Sequence, residues 1–357
     1  MMDSEKRRDT LNRRDFMKTG AAAAAVTGAA VAGAASAQSD DSLIHRNERS
    51  DRMTYRKLGK TNFMCSRLVF GGGGALIAGR AVRLLERTYE AGINYYDLGT
   101  DVYYKGAERS FAPFFKKYRD DIWVTSKAMV RSDIRFRGSD KPTSVSEASL
   151  YAKYWLDRLD DSLTDLGADY VDAYCLMGVD NPEIVKSEEL GNAFLKAKDA
   201  GKVGHFGIST HTNAEACLEA AVETGWYSLA QIAITPAGWF DLGSLKPMDT
   251  EGGIKDLAPV LARARDAGVG LIAMKAALAM AAAPYTGSTR RDEDSPRLGI
   301  FDKYYDADFL RADLSPFQRS YAYVLAHGVD AVNSDMQNFK HFEQNIIAAQ
   351  TSHTYFA

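Results

Sequence analysis

Apolar positions along the chain fall into two alternating patterns. Short runs rich in β-branched and aromatic residues occur at Leu68–Phe70, Ile93–Asp97, Ile122–Ser126, Tyr170–Leu176, Val203–Ser209, Leu229–Ile234, Val269–Met274 and Asp330–Asn333. Between them lie segments of helical period: Arg80–Ala91, Val145–Leu166, Ser187–Ala200, Asn213–Thr224, Asp256–Ala267, Ser315–Ala326 and Phe339–Ala348. Strand-then-helix order, repeated, predicts a parallel sheet covered by helices. Eight such strands predict an α/β fold of the closed (β/α)8 TIM-barrel type, with an open doubly wound sheet as the rival. The rival's GxGxxG fingerprint is missing from "FGGGGALIAG" (Phe70 to Gly79), and Gly71–Gly74 read as a flexible turn where a ligand can approach the backbone.

The first 37 residues stand outside this pattern. Arg13-Arg14 precedes an alanine-rich run ending at Ala35-Ser36-Ala37, which predicts a signal peptide over 1–37, cut near Ala37. Arg13-Arg14-Asp15-Phe16-Met17-Lys18 resembles the twin-arginine signal, whose machinery exports folded proteins, so the mature chain is expected in the periplasm. The run falls short of the ~20 strongly apolar residues that a membrane span needs, so no stable span is expected after cleavage. Residues 38–52 are polar and aperiodic and read as a flexible linker before a barrel at 53–357. A formal net charge of -3 without a basic stripe sets nucleic acid aside. Cys65, Cys175 and Cys217 form no CxxC pair and suggest neither a disulfide framework nor a metal site.

In a parallel barrel the side chains at the C-terminal strand ends converge on one site. Asp97 ends the second run with Tyr103 and Tyr104 just beyond it, and Lys127 ends the third. A lysine cation beside a phenol favours the phenolate, a carboxylate holds that lysine in place, and the tyrosine becomes a usable proton donor.

This set, with "GINYYDLGTDVYY", "IWVTSKA", "LGADYVDAYCL", "AGKVGHFGIS" and "GVGLIAMKAAL" in order, resembles the aldo-keto reductase superfamily, barrel oxidoreductases that use a nicotinamide cofactor. The resemblance runs from Met53 to about Ala349, and "YRKLGKTNFMCSRLVFGGG" is similar to the family's N-terminal β-hairpin and first strand. It implies Asp97, Tyr103 and Lys127 as catalytic residues. Five residues separate Asp97 from Tyr103 where the family usually has four, so Tyr104 stays open as the donor. Met177 stands where the family has a carbonyl-orienting histidine, and His211, just past the fifth run, is the candidate substitute. The resemblance places cofactor contacts at Ser209, Thr210, Gln231, Met274 and Lys275, with a phosphate-binding end at Ser334, Gln344 and Asn345. An acid, Asp335, replaces a glycine in that last stretch.

The expected activity is reduction of an aldehyde, ketone or quinone by hydride transfer from NADP or NAD, the tyrosine protonating the oxygen. The alternative is a non-catalytic binding protein on a degenerate barrel, favoured by Met177 and the altered phosphate loop. The expected partners are a small-molecule carbonyl substrate and the export machinery. Residues 283–309 are expected to form a long loop over the substrate.

Overall fold

The fold is that of a computed structural model, which describes residues 42–133, 142–280, 295–334 and 336–356. The chain opens on an antiparallel hairpin, β1 (Tyr55–Lys57) and β2 (Met64–Ser66), with Arg56 opposite Cys65. The strands that follow are β3 (Leu68–Gly71), β4 (Tyr95–Asp97), β5 (Trp123–Ala128), β6 (Val171–Met177), β7 (Val203–Thr210) and β8 (Leu229–Thr235). An antiparallel pair, β9 (Gly238–Asp241) and β10 (Lys246–Pro247), then extends from β8, before β11 (Gly270–Met274) and β12 (Ala331–Ser334). Among the described residues, eight parallel strands close in the order β3-β4-β5-β6-β7-β8-β11-β12, with β12 pairing back onto β3. This is the (β/α)8 barrel with its N-terminal hairpin.

Side-chain alternation along each strand then divides inside from outside. The first inward row is apolar: Val69, Tyr95, Trp123, Ala173, Leu229, Ile272 and Ala331 pack with Leu58, Phe63 and Cys65 of the hairpin segment. Phe63 stacks on Trp123 at 4.8 Å, so the hairpin plugs the N-terminal end of the barrel. Outward aromatics meet the helices: Tyr96 lies 5.4 Å from Phe111, Trp155 5.1 Å from Tyr174, and Phe194 4.8 Å from Phe206. Burying each phenylalanine of this shell stabilises the fold by roughly 1.5–3 kcal/mol.

Three local expectations change, and one helix is found where none was expected. Residues 42–52 are not a linker: Ile44 bridges to Phe63, Arg46 donates to the Ile122 carbonyl at 2.7 Å and to Asp172 at 3.1 Å, and Asn94 donates to the Arg46 carbonyl at 2.7 Å. Their polar groups satisfy buried backbone instead of water. Gly72–Ala75 form a helical turn rather than a loose one. The helix expected at Arg80–Ala91 is a 3-10 turn (Val82–Leu84) leading into Leu85–Glu90. Between β4 and β5, Ala107–Tyr118 is a helix whose Phe111, Phe114 and Phe115 face inward. The expected signal peptide, the core of the substrate loop at 281–294 and Asp335 lie outside the described residues. Among the described residues no helix is long and apolar enough to cross a membrane.

Candidate active site

Two residues along from the apolar row, the same inward face turns polar. Tyr95 is followed inward by Asp97, Leu229 by Gln231 and Ala331 by Asn333, while β5 carries Trp123, Thr125 and Lys127 in succession. Lys127 Nζ donates to both carboxylate oxygens of Asp97, at 2.7 and 2.6 Å, and to the Leu98 carbonyl. Gln231 Nε2 donates to Asp97 Oδ1 and Asn333 Nδ2 to Oδ2, each at 2.6 Å. Asp97 and Lys127 are each 3% exposed, so the pair is desolvated, and Asp97 accepts four hydrogen bonds from three donor groups on three other strands. Removing one member of such a buried pair typically costs 3–5 kcal/mol, because the other charge is left uncompensated. Asn333 was not anticipated. An asparagine on a strand has no chemical signature, and only closure of β12 onto β3 brings it to Asp97.

The tyrosines separate on a single helical turn, Asp101–Tyr104, where adjacent residues point about 100° apart. Tyr104 lines the cleft beside Asp97 and Lys127, whereas Tyr103 is not among the lining residues. Two glycines admit the Tyr104 ring. A Cβ at Gly73 would lie 2.9 Å from its Cζ, and one at Gly99 would lie 2.5 Å from the ring and 3.4 Å from Cγ of Lys127. Gly99 therefore borders both the Tyr104 ring and the aliphatic stem of Lys127. Burial, and then the neighbouring Tyr104, push the Tyr103 hydroxyl's pKa far above its usual 10.

At the C-terminal ends of β7 and β11 and just past them, Ser209, His211, Met274 and Lys275 line the same cleft. Burial, with the Lys275 and Lys127 ammoniums nearby, holds the His211 imidazole well below its usual pKa of 6.5, so the ring is neutral at neutral pH. Burial and Lys127 push Lys275 down to about 8, with Asp97 opposing. Lys275 has a φ of 64°, in the left-handed region, which costs a non-glycine residue on the order of 1 kcal/mol. Met177 is 3% exposed at the end of β6 and is not among the lining residues, and Thr210 turns its hydroxyl to the Thr212 carbonyl. Ser334 lines the cleft, and buried Asn345 donates to its hydroxyl at 3.1 Å. Gln344, half-buried, is not among the lining residues. His205, within β7, faces the barrel interior, 5.2 Å from the Trp123 ring. Outside the cleft, Asp101, Glu108 and Asp165 bring carboxylate oxygens within 4.8 Å, and Arg109 pairs with Asp101 and Asp165 at 3.1 Å each.

A closed parallel barrel whose C-terminal mouth holds a desolvated lysine–aspartate pair, with a tyrosine lining the same cleft, has the layout of the barrel enzymes, whose sites sit at that end. Residues 68–354 match the aldo/keto reductase family, and the chain belongs to that family of oxidoreductases. Over 177 residues it is 30% identical to an L-glyceraldehyde 3-phosphate reductase of Escherichia coli (strain K12), covering 46% of this chain and 47% of the relative. The chain thus spans about half the length of the curated relatives it matches. Among solved structures, an aldo-keto reductase from Bacillus halodurans in its holo form superposes with a TM-score of 0.57 at 21% identity, over 84% of this chain and 91% of the other. An aldo-keto reductase from Klebsiella pneumoniae in complex with NADPH gives 0.56 at 20% identity, over 84% and 90%.

Proposed function

We propose that the chain reduces the carbonyl of a small molecule with a nicotinamide cofactor, Tyr104 rather than Tyr103 giving the proton. The observation that carries this reading is that Tyr104, and not Tyr103, lines the cleft that holds Lys127 and Asp97. The Lys127 ammonium favours the phenolate that Tyr104 leaves behind, and Asp97 fixes the ammonium. His211, neutral and in the cleft, can donate a ring N–H to the substrate oxygen, a role that Met177 cannot fill because a thioether donates nothing. Developing negative charge on that oxygen is then met by two groups, and one such donor is worth about 3 kcal/mol in the transition state.

The residues present fit a nicotinamide. Gln231, which is fully buried and not among the lining residues, keeps its Oε1 without a hydrogen-bond partner among the described residues while its amide N–H holds Asp97, so it supports the cleft from behind rather than lining it. Gly71, Gly73 and Gly74 leave one wall of the cleft free of side chains. Bound there, the cofactor would supply the hydride. Ser209 and Met274 would line its ring, and Ser334, braced by Asn345, would lie toward its phosphates. The Klebsiella pneumoniae protein's complex with NADPH and the Escherichia coli relative's name as a reductase support the reading. Arg13-Arg14 supports export of the folded chain with its cofactor already bound.

Fluorescence titration with NADPH and NADH, followed by cofactor oxidation with a panel of aldehydes and quinones, tests the proposal. Tyr104→Phe is expected to lower kcat about 10³-fold, within the range for losing a general acid, while Tyr103→Phe stays within a few-fold of wild type. The opposite ranking moves the donor to Tyr103. No binding of either nucleotide removes the enzyme and leaves a binding protein on a reductase barrel.

A further inference from the structure

Asp97, Gly71 and Asn333 lie on three consecutive barrel strands, β4, β3 and β12, with Gly71 opposite Asp97 in one ladder and Asn333 opposite Val69 in the other. Neighbouring strands are ~4.8 Å apart, so a side chain reaching from β12 to β4 has to cross β3. Asn333 makes that crossing: its Nδ2 donates to Asp97 Oδ2 at 2.6 Å. Gly71 permits it, since a Cβ there would lie 2.5 Å from Asn333 Oδ1. The carboxylate also settles which way round the amide sits, because only its N–H side can face a negative charge.

The consequence is electrostatic. Lys127 donates to both oxygens of Asp97, and each oxygen also takes an amide, Gln231 on Oδ1 and Asn333 on Oδ2. A carboxylate whose charge is shared with two amide donors neutralises the ammonium less completely. More of the Lys127 field is then left for the phenol of Tyr104 in the same cleft. The two amides are not equivalent. Gln231 is fully buried behind the cleft, whereas Asn333 is half-buried and lines it, so a ligand filling the cleft dries the Asn333 bond and strengthens it.

Resting on the carbonyl-reductase reading, we propose that Asn333 is a positioning residue for proton transfer: carried over Gly71 to Asp97, its amide keeps part of the Lys127 charge free and makes Tyr104 a stronger acid. Removing the donor deepens the negative charge on Asp97 and weakens the field at Tyr104, which disfavours the phenolate and raises the pH at which the phenol ionises. The other titratable or charged groups that share the cleft with Tyr104 are Asp97, Lys127, His211, Lys275 and Tyr321. Its own turn adds Asp101, Tyr103 and Lys105, and the helix that follows adds Glu108 and Arg109. Asn333→Leu alters none of these charges, so a pH shift in that variant reports the lost amide.

The single-turnover rate of NADPH oxidation by p-nitrobenzaldehyde, followed from pH 6 to pH 10, tests this. Asn333→Leu is expected to lower the rate at pH 7 by about three- to tenfold and to move the alkaline limb up by about one pH unit. Gly71→Ala, which drives the Asn333 amide aside, is expected to move the limb the same way, and the double variant to move it no further than Asn333→Leu alone. A slower rate with the limb unmoved makes Asn333 a packing residue and overturns the proposal, as does a limb that moves down. Should Asn333→Leu not fold, Asn333→Ser, too short to cross Gly71, is read in the same way. No turnover of this aldehyde or of any other carbonyl in the panel is the failure of the reductase reading on its own. The proposal is then decided by NMR titration of the tyrosine rings, Tyr104 being assigned by its loss in Tyr104→Phe. Ionisation at higher pH in Asn333→Leu than in wild type supports it; equal midpoints, or a wild-type phenol still protonated at pH 11, overturn it.

Discussion

The two ends of the barrel interior are built from the same strands and do opposite work. On β4 the inward residues are Tyr95 and then Asp97; on β5 they are Trp123, Thr125 and then Lys127. At the N-terminal end these rows meet the hairpin as packed rings and aliphatics, none of them more than 1% exposed. At the C-terminal end, one pleat later, they meet each other as a carboxylate, an ammonium and two amides. Fold stability is concentrated where side chains fill space, and chemistry where charges are kept dry but satisfied. The difference teaches that one strand can serve both ends because a step of two residues keeps the face and changes the depth.

The mouth should yield first, and by most, to loss of charge. Lys127→Met is expected to abolish reductase turnover, by about 10³-fold or more, and to lower stability by about 3–5 kcal/mol because Asp97 is stranded. Adding Asp97→Asn should restore much of the stability in a denaturant melt and none of the turnover. If the double variant recovers activity, the polar layer is only packing and the contrast between the two ends collapses.

The floor should respond in the other currency. Trp123→Ala removes a ring that stacks on Phe63 and touches Tyr95 and His205, leaving a cavity under the hairpin. Expected is a loss of about 3–5 kcal/mol in urea unfolding, with kcat per folded molecule changed less than by any cleft substitution. A loss of kcat comparable to that of Lys127→Met would mean that floor packing sets the geometry of the mouth.

How much of this is legible in the sequence depends on range. Each barrel strand begins within two residues of the apolar run that predicts it, as Leu229–Thr235 does against Leu229–Ile234, because burial and alternation are local signals. Asp97 and Lys127 stand at the ends of consecutive strands, so their approach can be foreseen from strand order alone. The amides that complete the pair cannot: Gln231 and Asn333 lie 134 and 236 residues from Asp97, and only closure of the sheet gathers them. Tyr103 and Tyr104 are indistinguishable by composition, and a short helical turn decides which one faces the cleft. The helix Ala107–Tyr118 carries Pro113 in its interior, a residue that argues against a helix until its three inward phenylalanines are seen to outweigh it. Arg46 and Asn47 look like solvent-facing residues because their partners are backbone carbonyls, which a sequence does not display, and, for Arg46, a carboxylate far along the chain at Asp172.

The smallest of the expected effects concerns a histidine that the floor has made unresponsive. His205 lies against Trp123 and faces Ser228 at 3.2 Å, and burial, followed by the Lys198 charge, lowers its pKa from 6.5 to about 4. The unfolded chain therefore takes a proton near pH 6.5 that the folded chain refuses until about pH 4. Stability from this group is fully present above pH 6.5 and is lost as pH falls toward 4, by about 2 kcal/mol at pH 5 and about 3 kcal/mol in all. Replacing the ring by an uncharged side chain, His205→Gln, removes that dependence. Urea midpoints measured at pH 7.5 and pH 5 should fall together less in the variant than in wild type, while at pH 7.5 the variant loses only its contact with Trp123. Equal acid sensitivity in the two proteins would mean that His205 accepts a proton in place, with water reaching the floor, and the dry packing that distinguishes this end from the mouth would be the weaker claim.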